Sequence, residues 1–282
     1  MDLVFDDTHE YFLMDDYTIN TGNSVIYRAN DKKLNRDVAI KKISVTNEIA
    51  LKQAKHEIQV LSKFSNGEVP YIYDYHVQDE NLYIIMQWIQ GDSLEKKLKR
   101  KQVSLKEMTG WIMELCDTLD ELAKHHIYHK DIKPSNLMIF NGRLVLIDFN
   151  ISMSLTNKTE GTFGYKAPEM GQRSKETRRD KVDMFAIGVI LYEFYKGSLP
   201  QMGDEYSSPS LRSTEKAWKN FVEPIEKYPE MDKKMNEIIT RCMKYDPAER
   251  YESYSKLRND LKLVNKRGNN HVVLCQEKGL IK

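Results

Sequence analysis

The rhythm of apolar positions changes near residue 93 of this chain. Before it, apolar residues fall in short runs bounded by polar turns. Val25-Ile26-Tyr27-Arg28-Ala29 and Asp37-Val38-Ala39-Ile40-Lys41-Lys42-Ile43 predict two strands joined by the polar turn 30–36. Two more strands are expected around 71–77 and 81–88. Between the pairs, apolar residues at 58, 60, 61 and 64 predict a helix over 48–64 with one buried side, stopped near Asn66-Gly67. After Ser93 the pattern becomes helical. Apolar residues at 105, 108, 112, 115, 119 and 122 keep a 3.6-residue period over 105–125. Short strands are expected over 137–140 and 143–147, joined by Asn141-Gly142, a dipeptide that favours a type I′ turn. Further helices are predicted over 181–196, 213–226, 231–243 and 253–264, followed by a polar tail over 266–282 with a short apolar stretch, 271–275. Few strands first and helices afterwards make this an α+β chain. A β-rich lobe over 11–86, a connection over 87–92 and a helical lobe over 93–265 are expected.

Composition narrows the function. Length and 40% hydrophobic residues allow a large core or two lobes about a cleft. The 43 basic and 42 acidic residues nearly cancel, which argues against a nucleic-acid partner. The run Lys96-Lys97-Leu98-Lys99-Arg100-Lys101 reads as a solvated helix face. Cys116, Cys242 and Cys275 lack metal or disulfide spacing and suit a reducing cytoplasm. The acidic start Met1-Asp2-Leu3-Val4-Phe5-Asp6-Asp7 is unlike a signal peptide. The longest apolar run, 184–195, is broken by Gly188 and Glu193 and falls short of a membrane span, so a cytoplasmic protein is expected.

Candidate chemistry concentrates in Tyr128-His129-Lys130-Asp131-Ile132-Lys133-Pro134-Ser135-Asn136 and in Asp148-Phe149. Pro134 forces a loop between Asp131 and Asn136, so a carboxylate can face a hydroxyl while an amide oxygen binds a metal. Asp148, after the apolar run 144–147, offers a second metal ligand, a set suited to in-line phosphoryl transfer. These residues resemble the catalytic loop and metal-binding turn of the eukaryotic-type (Hanks-type) serine/threonine protein kinases. The likeness extends to Val38-Ala39-Ile40-Lys41, to Glu57, to Gly161-Thr162 and Ala167-Pro168-Glu169, to the helix 183–188 and to Asp246-Pro247-Ala248-Glu249-Arg250.

The resemblance implies a bilobal kinase fold and transfer of the γ-phosphoryl group of ATP, with Mg2+ or substituting Mn2+, to serine or threonine of proteins. It also implies autophosphorylation through a transient homodimer. Asp131 would be the catalytic base, with Lys133 neutralising the transferring group and Thr162 completing the site. Lys41 would hold the phosphates, oriented by Glu57, while Asn136 and Asp148 hold the metal. The phosphate loop would be Ile19, Asn20, Thr21, Gly22, Asn23, Ser24 and Ile26, and the adenine pocket Ala39, Met86, Gln87, Trp88, Ile89 and Met138. His129 is assigned a packed spine with Leu61, Ile72 and Phe149, and Arg250 a pairing with Glu169.

The chain departs from the family pattern in three places. Its phosphate loop has one glycine, with Asn20 and Asn23 as partial substitutes able to adopt left-handed backbone. Asn150 stands where glycine is expected, which should hinder inward–outward flipping of Phe149. Lys130 replaces an arginine and offers a loop phosphate only a point charge. Phosphosite candidates are Ser152, Ser154, Thr156 and Thr159, with Thr159 favoured. The basic cluster Arg173, Lys175, Arg178, Arg179 and Lys181 reads as a solvent-exposed linker. A pseudokinase scaffold is the alternative, on the strength of the poor glycine loop alone. A small-molecule kinase of related fold is disfavoured by Ala167-Pro168-Glu169 and Lys133.

Overall fold

The computed structural model of the protein describes residues 2–6, 8–20, 24–45, 47–64, 66–149, 164–171, 179–200, 215–219 and 221–267. They divide into two compact units. One comprises residues up to Gly91 with Val145–Ile147, the other Asp92–Leu144, residues 148–149 and the chain from 164 onward.

The first unit is one antiparallel sheet and one helix. Strands β1 (Asp2–Asp6), β2 (His9–Asn20), β3 (Ser24–Asp31), β4 (Arg36–Ser44), β5 (Ile72–Gln78) and β6 (Asn81–Gln87) are arranged in the order β1-β2-β3-β4-β6-β5. Alternation sets which side chains enter the core. Tyr11, Ala29, Val38, Ile40, Tyr83 and Ile85 form a buried cluster, against which Leu3, Phe5, Leu13 and Tyr27 pack. β1 was not anticipated, although Leu3 and Phe5 alternate with Asp2, Val4 and Asp6. An acidic, short segment gives a weak strand signal, and it is tertiary packing on the Tyr11 cluster that fixes it. The β3–β4 turn is tied by Asp31 Oδ1, which accepts from the amides of Lys33 and Leu34 at 3.1 Å each. Helix α1 (Glu48–Leu61) starts where Asn47 Oδ1 accepts from Ala50 N at 2.8 Å, and ends three residues before the expected Phe64.

The second unit is mainly helical. Ser93 caps α2 (Leu94–Lys99), and a reciprocal Ser104–Glu107 box opens α3 (Leu105–Lys124). The expected apolar stripe Leu105, Met108, Ile112, Leu115, Leu119, Leu122 is buried throughout. β7 (Asp92–Ser93), β8 (Leu137–Phe140) and β9 (Arg143–Leu146) make a small sheet, with Asn141 and Gly142 both at positive φ in the β8–β9 turn. The basic run after Ser93 carries local pairs, Lys99–Glu95 at 3.1 Å and Arg100–Asp92 at 2.9 Å, as a solvated face would.

α4 (Arg179–Lys196) packs against α7 (Lys233–Cys242), and α8 (Tyr254–Arg267) against α3. The single helix expected over 213–226 is instead two short ones, α5 (Glu215–Trp218) and α6 (Pro224–Lys227). Pro224 explains the break: it has no amide hydrogen to donate and pushes Glu223 into extended backbone, φ −65° and ψ 146°. Cys116 and Cys242 are free and buried, and burial raises both thiol pKa values, so these thiols are inert; Cys275 and the tail over 268–282 lie outside the described residues. Among the described residues no helix is long and apolar enough to cross a membrane.

Gly188 permits the close approach of α4 and α7. A Cβ there would lie 2.6 Å from Met243 Cγ and 2.7 Å from Cys242 Cβ. Gly188→Ala should therefore destabilise the protein by about 1–3 kcal/mol, the usual cost of overpacking, despite alanine's better helix propensity. Urea unfolding measures it; a variant as stable as the parent would show that the helices can separate at no cost.

Candidate active site

Asp183 is the group around which the second unit's polar residues are organised. It lies on α4 within a run of apolar side chains and is 1% exposed. Its two carboxylate oxygens accept from consecutive backbone amides, His129 N at 2.8 Å and Lys130 N at 2.7 Å. Burial pushes its pKa up, while His129 and the two amide hydrogen bonds pull it down. Lys130 sits at φ +62°, a left-handed conformation that costs a non-glycine residue roughly 1–2 kcal/mol. The double hydrogen bond to Asp183 fixes that kink. His129, 1% exposed, turns its ring edge-on to Phe149, centroids 4.9 Å apart.

The kink presents the next residues as a cluster. Asp131 Oδ2 accepts from Lys133 Nζ at 2.8 Å and from Asn136 Nδ2 at 3.3 Å. Asn136 Nδ2 also donates to the Asp131 carbonyl at 2.9 Å. Asn136 ends a short 3-10 turn, Pro134–Asn136, and is buried, so its side chain is fixed with Nδ2 toward Asp131. Its Oδ1 is thereby turned away from Asp131 as an oxygen donor for a ligand. Asp148 follows β9 at φ +61° and immediately precedes Phe149. The structure thus brings Asp131, Lys133 and Asn136 together.

In the first unit, Lys41 is 3% exposed at the centre of the sheet, registered between Ile26 on β3 and Ile84 on β6. Glu57 is half-buried on α1, beside the buried Ile58. Ala39 pairs in register with Met86, and Gln87 N donates to Tyr71 O at 2.8 Å. Ile89 is buried, Trp88 half-buried and within 5.3 Å of the Arg28 guanidinium. Ile19 and Asn20 end β2 exposed, facing Ile26 and Val25, while Ser24 is buried. Leu61 is buried and Ile72 half-buried; Met138 is half-buried on β8 of the second unit. Thr21, Gly22 and Asn23 lie outside the described residues, as do Asn150, Ser152, Ser154, Thr156, Thr159, Gly161 and Thr162.

A buried ion pair anchors the segment after 164. Arg250 donates to Glu169 through both terminal nitrogens, at 2.7 and 2.8 Å, and its side chain is fully buried. Three carbonyls, Lys244, Tyr245 and Lys181, accept its remaining donors, and Phe185 lies under it at 5.0 Å. All its donors are satisfied, as a buried guanidinium requires.

The model of the protein kinase domain matches residues 20–260. The chain belongs to the protein kinase family. A probable serine/threonine-protein kinase of Clostridium perfringens is 29% identical over 87% of this chain and 37% of its own length. Serine/threonine-protein kinase PrkC of Bacillus subtilis is 26% identical over 86% of this chain and 38% of its own. The chain thus spans under two-fifths of the length of these bacterial relatives. Mouse Aurora kinase B is 29% identical over 80% of this chain and 65% of its own. A solved structure of Rad53 with AMP-PNP superposes with a TM-score of 0.68 at 18% identity, over 89% of this chain and 64% of that one. The α+β protein kinase fold expected from the motifs is therefore the observed one.

Two expectations need amending for this kinase. Lys181 is not part of an exposed basic linker: it is 4% exposed, and its Nζ donates to the carbonyls of Tyr251 at 2.7 Å and Glu252 at 2.5 Å. A lysine beside other cations reads as solvated until the fold supplies carbonyls. Arg173, Lys175 and Arg178 lie outside the described residues. Asp183's part in shaping the loop was also missed. The available signal was an acid placed among Val182, Met184, Phe185 and Ala186, where an unpartnered charge is prohibitive.

Two substitutions probe these anchors. Glu169→Gln leaves the fully buried Arg250 without its counter-charge and should cost about 3–5 kcal/mol in chemical denaturation. Loss below about 1 kcal/mol would mean that the carbonyls alone suffice. Asp183→Asn keeps shape but offers one acceptor to two amides, so about 1–3 kcal/mol should be lost for the stranded donor. An unchanged denaturation midpoint would show that the kink is held by other contacts.

Proposed function

We propose that the chain is a serine/threonine protein kinase domain transferring the γ-phosphoryl group of ATP to protein hydroxyls. The observation that carries this is the convergence of Asp131, Lys133 and Asn136 on a loop kinked by Asp183. In-line phosphoryl transfer asks for three things: an acceptor for the substrate hydroxyl proton, a fixed cation, and an oxygen donor for metal. Asp131 orients the hydroxyl and accepts its proton. Lys133, held 2.8 Å from Asp131, brings positive charge to the transferring group, where it offsets the charge on the equatorial oxygens.

The donor set suits a hard divalent cation. Asn136 commits its amide nitrogen to Asp131 and leaves a carbonyl oxygen, and Asp148 adds a carboxylate. Asn136 and Asp148 would hold Mg2+, which would supply positive charge to offset that of the phosphates; Mn2+, of the same ligand preference, would substitute. In the first unit, the buried Lys41 would hold the α- and β-phosphates and Glu57 would aim it. Ala39 and Met138 would flank the adenine, with Met86 beside it and Gln87, Trp88 and Ile89 offering backbone groups. Ile19, Asn20, Ser24 and Ile26 would flank the phosphates together with the loop tip. Protein substrates include a second copy of the chain, met transiently, with Thr159 the favoured acceptor and Thr162 a site residue. The kinase domain is assigned to 11–265 and its setting to the cytoplasm.

The test is transfer from labelled ATP with Mg2+ to a generic protein acceptor, comparing wild type with Asp131→Asn. Asp131→Asn should lower kcat by at least about 10^2, the usual worth of a positioned base, with little change in ATP affinity. Equal rates in the two proteins would remove Asp131 from the chemistry. A folded wild type that transfers nothing would favour the scaffold reading.

A further inference from the structure

The sheet of the first unit nearly closes on itself, and a cluster of metal-ligating side chains lies where its ends meet. β1 and β5 are at opposite ends of the strand order, yet Phe5 on β1 stacks on His76 on β5, centroids 4.2 Å apart and planes 11° apart. Beside that stack, His9 at the start of β2 and Asp74 and His76 on β5 bring one ligand atom each within 4.8 Å of the others. Asp74 Oδ2 lies 3.4 Å from His9 Nε2 and 3.5 Å from His76 Nε2. Both are longer than a charge-assisted hydrogen bond, about 2.7–2.9 Å. They match the ligand-to-ligand edge of a tetrahedral zinc site, about 3.4 Å for bonds of about 2.0–2.2 Å.

The protonation pattern agrees. His9 Nδ1 lies 2.8 and 2.9 Å from the two oxygens of Asp6. Thr8 donates to the same carboxylate through its amide at 2.7 Å and its hydroxyl at 2.8 Å. A carboxylate accepts, so His9 Nδ1 is the ring nitrogen that donates to Asp6, and Nε2 is the one left to face Asp74. This is the carboxylate–histidine arrangement that orients metal-binding imidazoles. His76 Nε2 is buried and has no hydrogen-bond partner, so a ring nitrogen faces Asp74 with its bonding capacity unused.

We propose that His9, Asp74 and His76 form a divalent-cation site for zinc, with Asp6 orienting His9, that pins the β1–β2 hairpin to β5. Two imidazoles and one carboxylate, with a fourth position left to water, are a donor set that Zn2+ takes readily and Mg2+ poorly. The site involves none of the phosphoryl-transfer residues and stands whether or not the proposed activity is correct.

The test is calorimetric titration of Zn2+ into the chelator-stripped, tag-free chain, with Mg2+ in excess to occupy oxygen-only sites. One equivalent should bind, and thermal unfolding should shift upward with Zn2+. His9→Gln and Asp74→Asn should each weaken that binding at least about tenfold, and Asp6→Asn by about 10–100-fold. Co2+ in place of Zn2+ should give four-coordinate visible absorption in wild type that His9→Gln loses. His9 is one-third exposed, so His9→Gln should fold; an unfolding midpoint equal to wild type without metal verifies this. No saturable equivalent in wild type, or an equivalent bound as tightly by His9→Gln and Asp74→Asn, overturns the proposal.

Discussion

The paired hydrogen bonds from His129 N and Lys130 N to the buried Asp183 carboxylate are the constraint on which the candidate active site depends. A loop of alternating polar residues has no reason of its own to place Lys130 in left-handed backbone. An α-helix packed in the core can impose it, because the buried Asp183 carboxylate is held on α4 and must be met by hydrogen-bond donors. From the kink follow the approach of Lys133 to Asp131 and the lock of Asn136 on the Asp131 carbonyl. The direction of the Asn136 amide oxygen then follows from the hydrogen bonds its Nδ2 makes to Asp131. The geometry of the loop is thus set by a side chain 52 positions after Asp131 in sequence.

A second buried acid works on the same principle. Glu169 and Arg250 meet bidentately, with carbonyls taking the guanidinium's other donors. Lys181, near Asp183 on α4, donates to two carbonyls just ahead of α8, those of Tyr251 and Glu252. Buried ions in this unit are therefore partnered across long stretches of chain, where loss of one partner strands the other. Apolar packing, such as α4 on α7 at Gly188, sets the framework in which those pairs form.

Much of this was readable in the sequence, for physical reasons that differ between elements. α3 was legible because its apolar stripe and its Ser104–Glu107 box are local signals. The Asp131–Asn136 loop was legible because Pro134 cannot continue a helix from the residues before it, and only a single 3-10 turn starts there. β1 escaped because its strand character comes from packing on Tyr11 across the hairpin and on His76, distant in sequence. The break before α6 was signalled by Pro224 but masked by apolar residues on either side. Lys181 and Asp183 escaped together: a charged side chain inside a helix gives no local sign of the carbonyl or amide it will meet. The His9–Asp74–His76 cluster was invisible for the same reason, since only closure of the sheet brings those residues together.

The most direct measurement is a double-mutant cycle in phosphoryl transfer, combining Asp183→Asn with Asp131→Asn. If Asp183 acts only by holding the loop that presents Asp131, the double variant is no slower than Asp131→Asn alone. Independent, multiplicative losses in kcat would contradict this, and would mean that Asp183 serves transfer by a route that does not pass through Asp131.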